Sequence, residues 1–85
     1  MMEDIQFQLH LLTYIQEHDG KWYWYQLDRA ISATVGLNGR YLQREINALH
    51  AAGLIEIQEI GGRPHYFITN NGRQFVAAGG KSQQL

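Results

Sequence analysis

Residues 38–52 read NGRYLQREINALHAA, and four side chains in that stretch carry a particular chemistry. Arg40 and Arg44 each offer a planar fork of N–H donors, while Gln43 and Asn47 each carry a donor and an acceptor on one carboxamide. These groups match the edges of nucleobases: arginine pairs with guanine O6 and N7, and asparagine or glutamine pairs with adenine. A good bidentate pair is worth roughly 1–3 kcal/mol of discrimination. On a helix, with about 100° per residue, the four fall together on about a third of the circumference. Leu42, Ile46 and Leu49 fall opposite them. One side packs and the other presents polar groups. The plain alternative is a solvated helix face, which is polar by default. Glu45 lies on the flank, where it would pair with a neighbouring cation or repel phosphate.

Other candidate chemistries fail on spacing. Gly79-Gly80-Lys81-Ser82 has the end of a phosphate-binding loop, but the position of that motif's first glycine is Phe75. His10, His18, His50 and His65 are scattered, and there is no cysteine, so no metal site is expected. Ser32 and Ser82 have no nucleophile-elbow context. Glu3/Asp4 and Glu56/Glu59 are expected at a helix start and in a strand, where solvated surface is the default. Neither an enzyme nor a bound cofactor is expected.

The chain has 85 residues, room for one domain, and its 45% apolar content suffices for a core. At this size stability comes from packing, a partner subunit, or both. The net charge is −1, but it is unevenly spread. Residues 1–20 hold Glu3, Asp4, Glu17 and Asp19 with no Lys or Arg. Residues 21–50 hold Lys21, Arg29, Arg40 and Arg44 against Asp28 and Glu45. An acidic end and a mildly basic remainder suit a module with one face toward phosphate. The N-terminus lacks the basic stretch and apolar run of a signal peptide, and no apolar run approaches the ~20 residues of a membrane span. A cytoplasmic protein is expected.

The elements that must position these groups can be read from the pattern. Residues 3–18 predict a helix, with Ile5, Leu9, Leu12 and Ile15 at helical spacing and acids in the first turn. Phe7, Leu11 and Tyr14 form a second apolar stripe, either a contact between subunits or part of the monomer core. The aromatic run Trp22–Tyr25 predicts a short strand or extended entry. Residues 26–33 predict a second helix with Leu27, Ala30 and Ile31 inward. Asn38 is expected to cap a third helix that runs to about Ala52 and stops at Gly53. Residues 54–69 predict a hairpin turning at GGRP, with strands 54–60 and 65–69. Thr69 then caps a short last helix with Phe75 and Val76 inward. One domain is expected over 1–78, with 79–85 as a flexible tail.

The order and several motifs resemble winged helix-turn-helix regulators. YLQREINALHAAGLIEI resembles a recognition helix with the L-x-x-x-G-L-I exit, here Leu49, Gly53, Leu54 and Ile55. YFITNNGRQFV resembles the passage from the wing into the closing helix, here Tyr66, Ile68, Thr69, Gly72 and Val76. WYQL resembles the GYEL of PadR-like proteins, without its glycine. The resemblance covers about residues 4–78 and is shared by PadR-like, MarR-like and ArsR-like proteins.

It implies an α+β, mostly helical fold and a sequence-specific regulator of transcription. The helix at about 38–52 would enter the major groove with Arg40, Gln43, Arg44 and Asn47. The wing at 54–69 would place Arg63 on the backbone or in the minor groove. Lys21 and Arg29 are candidate phosphate contacts, and Thr34 and Asn38 candidate hydrogen-bond partners of the backbone. His65 would reach phosphate when protonated or sit as a plain strand residue; Tyr41 would buttress the helix or touch phosphate. It also implies a homodimer on double-stranded DNA, with Phe7, Leu11 and Tyr14 as candidate interface residues. The rival reading is a winged helix that binds proteins, favoured by the weak net charge and the aromatics at 22–25.

Overall fold

The computed structural model describes residues 4–80. Four helices and one hairpin run in the order α1 (Asp4–Glu17), α2 (Trp24–Thr34), α3 (Leu42–Ala51), β1 (Ile55–Ile60), β2 (Arg63–Ile68) and α4 (Asn70–Ala77). The fold is α+β and mostly helical, in a winged-helix layout. Among the described residues no helix is long and apolar enough to cross a membrane. The expected acid at Glu3 and the end of the tail at 81–85 lie outside the described residues.

One core joins all the elements. Phe7, Leu11, Leu12 and Ile15 of α1 meet Leu27 and Ile31 of α2, Leu42, Ile46 and Leu49 of α3, and Ile55, Tyr66 and Ile68 of the hairpin. Phe75 and Val76 of α4 pack against its edge. Both apolar stripes of α1 therefore contribute to the core, Leu12 and Ile15 from the first and Phe7 and Leu11 from the second. Phe7 and Leu11 are fully enclosed within the chain, whereas Ile5 of the first stripe is half exposed. The interface expected of Phe7, Leu11 and Tyr14 is corrected at Phe7 and Leu11 by this burial. Phe7 and Leu11 are enclosed by the chain's own core and are not available to a second subunit. Tyr14 is partly buried; its ring stacks on Trp22 at 5.9 Å and its hydroxyl donates to Thr34 Oγ1 at 3.0 Å.

The aromatic run does not form a strand. Tyr23 is extended and makes a single bridge to His65 of β2. Trp24 and Tyr25 already belong to the first turn of α2. The Gln26 side chain accepts from the Tyr23 N–H at 3.1 Å, which satisfies one donor at the helix start. Leu27 and Ile31 then bury one face of the helix. Capping and burial together outweigh the strand preference of the aromatics.

Asn38 does not cap α3. It sits at φ 53 with Gly39 at φ 84, and the Arg40 N–H donates to the Leu37 carbonyl at 2.9 Å. That is a tight turn of the Asn-Gly kind, with both central residues left-handed. The Asn38 carboxamide donates to the Val35 carbonyl at 3.1 Å. The helix starts later, after Tyr41 in extended geometry. Its end agrees with the expectation: Gly53 comes directly after Ala52 and donates to the His50 carbonyl at 3.0 Å.

The hairpin pairs Ile55 with Ile68 through Ile60 with Arg63, antiparallel, with Gly61 and Gly62 as a two-residue loop. Both glycines have positive φ, as this loop type requires. Arg63, expected within the GGRP turn, is thus the first residue of β2. Asp19, just after α1, is tied to the end of β2 and to α4. Its carboxylate accepts from the Ile68 N–H at 2.9 Å and from Arg73 at 3.0 Å. Thr69 caps α4, accepting from the Gly72 N–H at 3.0 Å. Gly80 is buried, and a side chain there would collide with Ile5. The packed fold therefore reaches two residues beyond the expected boundary at 78.

Candidate functional site

Leu42, Ile46 and Leu49 anchor α3 in the core, and this orients the opposite face of the helix outward. Gln43, Arg44 and Asn47 are exposed on it. Two of them are joined directly. Gln43 Nε2 donates to Asn47 Oδ1 at 3.0 Å, one helical turn apart. The Arg44 guanidinium lies 5.6 Å from the centre of the Tyr41 ring, and Tyr41 is itself 70% exposed. Tyr41 thus supports Arg44 at the start of the helix, a relation the three-residue spacing could have revealed.

Arg40 is not part of this face. It precedes α3, and its guanidinium lies 2.8 Å from Asp4 and 4.9 Å from the centre of the Phe7 ring. Its side chain is only 14% exposed. The helical wheel failed here because the Asn38–Gly39 turn takes the first residues out of the helix.

Arg63 is exposed but sits over Tyr23, 4.6 Å from the ring centre. His65 Nδ1 lies 2.9 Å from the Arg63 carbonyl oxygen, so that nitrogen carries the proton. The ring of His65 is 6.0 Å from that of Tyr23. Tyr23 therefore joins the start of α2 to the hairpin, a role that was not apparent in the sequence. Exposed Glu56 and Glu59 on β1 give the hairpin negative charge as well.

Lys21 and Arg29 are exposed. Arg29 borders a shallow groove with Tyr23, Tyr25 and Asp28, and a more apolar one with Trp22, Ala30 and Ala33. Thr34 is committed within the fold: its hydroxyl donates to the Ala30 carbonyl at 2.6 Å and accepts from Tyr14. Asn38 is likewise committed to its turn. The structure thus gathers Gln43, Arg44 and Asn47, keeps Arg63, Lys21 and Arg29 exposed elsewhere, and ties Arg40, Thr34 and Asn38 to structural partners.

The fold and site define a small α+β domain with an exposed polar helix followed by a hairpin. No known protein family matches the chain, and none of the curated proteins compared with it does. Its structure is similar to the crystal structure of smu.1704 from Streptococcus mutans UA159, with a TM-score of 0.73 over 89% of this chain and 74% of that one. The two sequences are 21% identical, and the likeness is one of fold.

Proposed function

We propose that this chain is a winged helix-turn-helix DNA-binding protein and a regulator of transcription, with α3 as its recognition helix. The observation that carries the reading is the division of α3. Leu42, Ile46 and Leu49 are buried, while Gln43, Arg44 and Asn47 stand together on the exposed side. Their chemistry fits base edges in the major groove. The motif resemblance to PadR-like, MarR-like and ArsR-like proteins supports the same reading. Arg40 drops out of the reading set, since its guanidinium is held by Asp4 and Phe7. Arg63, Lys21 and Arg29 supply exposed charge for phosphates.

One chain offers few cations for this purpose. Two copies on a two-fold site would double them, so a homodimer belongs to the reading, as does a cytoplasmic location. Any dimer contact uses a surface other than Phe7 and Leu11. The test is titration of a labelled random-sequence duplex at low and moderate salt, with sedimentation of the complex to count the chains.

A second reading, a winged helix that binds another protein, is favoured by exposed Tyr25 and by Glu56 and Glu59 on the hairpin. It predicts no duplex binding even at low salt.

A further inference from the structure

The bond between Gln43 and Asn47 narrows what α3 recognises. Both side chains are exposed, so burial does not force them together. They meet because residues four apart are neighbours on a helix. The Gln43 amide nitrogen donates to the Asn47 oxygen at 3.0 Å, which favours one orientation of the Gln43 carboxamide. Gln43 keeps its oxygen and one N–H. Asn47 has committed its oxygen and keeps mainly donors.

An acceptor beside a donor is the complement of adenine, which presents N6–H and N7 in the major groove. Guanine presents two acceptors there, thymine an acceptor and a methyl group, and cytosine a donor without the adjacent acceptor. Resting on the DNA-binding reading, we infer that Gln43 and Asn47 act as one unit. Gln43 reads an adenine, and Asn47 is a positioning residue whose oxygen holds the Gln43 carboxamide. Arg44 is drawn toward Tyr41 and acts separately. A half-site then contains one adenine specified by the pair, where two independent carboxamides would specify two.

The test is selection of bound sequences from a random duplex library with the parent, Gln43→Ala, Asn47→Ala and Asn47→Asp. Both side chains are exposed, so the variants keep the fold, which circular dichroism checks. Gln43→Ala and Asn47→Ala should relax the same adenine position, reducing its preference from about 5–150-fold toward none. Asn47→Asp keeps the accepting oxygen and loses the donors. It should retain the adenine preference while binding all duplexes more weakly, because the new carboxylate repels phosphate. The inference is overturned if the two alanine variants relax different positions, or if Asn47→Asp relaxes the position as Asn47→Ala does. A parent that binds duplexes without base preference overturns the inference and leaves DNA binding standing. A parent that binds no duplex overturns both.

Discussion

Arg40 and Asp4, 36 residues apart in the chain, form an ion pair of 2.8 Å that ties the turn before α3 to the start of α1. The two ends of the pair differ. The Asp4 side chain is 84% exposed, whereas that of Arg40 is 14% exposed and lies over the Phe7 ring. Water screens most of the Coulomb attraction at Asp4, so the packing of the guanidinium on Phe7 is the larger part of the contact.

Arg40→Ala should therefore lower stability by about 1–2 kcal/mol in urea unfolding, and Asp4→Ala by less than ~0.5 kcal/mol. Equal losses for the two variants would show that the ion pair, not the ring contact, holds the turn. Base preference in a duplex selection should be unchanged in Arg40→Ala.

Gly72 shows how local context reverses a general preference. In an open helix, glycine to alanine stabilises by about 1 kcal/mol. Here a Cβ at 72 would collide with the Leu54 carbonyl, which already accepts from the Thr69 N–H at 3.1 Å, and with Ile68. Gly72→Ala should instead destabilise by about 1–3 kcal/mol through overpacking. A raised melting temperature for this variant would contradict the packing described for α4.

Tyr66 gives the fold a response to alkali. Its ring is buried, and burial pushes its hydroxyl from 10.0 up to about 12. The ionised form is disfavoured in the folded state, so the raised value contributes stability that is fully present below about pH 10. That stability is lost as pH rises through about 12, on the order of 2–3 kcal/mol in total. Comparing Tyr66→Phe with the parent isolates the effect from other groups that titrate there. The parent should lose stability between about pH 10 and 12 more steeply than Tyr66→Phe. Parallel curves would contradict the assignment.

Asp19 holds the Ile68 N–H and Arg73 together. Asp19→Ala should cost about 1–2 kcal/mol and expose the Ile68 amide to solvent exchange. Asp19→Asn, which keeps an acceptor for Ile68, should retain much of that amide's protection. Unchanged protection in Asp19→Ala would show that the carboxylate does not close the end of α1 onto β2.

Most of this architecture was legible in the sequence. The hairpin, the Thr69 cap, the stop at Gly53 and the apolar face of α3 were readable from periodicity and turn chemistry. Three features were not, each for a physical reason. Trp24 and Tyr25 have strand preference, but Gln26 and the Leu27/Ile31 face made them helical. Asn38 favours both caps and left-handed turns, and the adjacent Gly39 decided for the turn. That moved Arg40 off the helix and out of the expected site. On α1, two apolar stripes competed. A helical wheel shows both, but only the surrounding elements decide that Phe7 and Leu11 are enclosed while Ile5 is half exposed.

The central claim is that the exposed face of α3 meets duplex DNA. Fluorescence anisotropy of a labelled random-sequence duplex, titrated with the chain at stepwise increasing salt, tests it most directly. The reading predicts binding at low salt whose constant falls steeply with added salt, its logarithm declining linearly with the logarithm of salt concentration at a slope set by the number of phosphates neutralised. Arg44→Ala should bind more weakly than the parent. No binding at low salt, or binding that salt leaves unchanged, would contradict it.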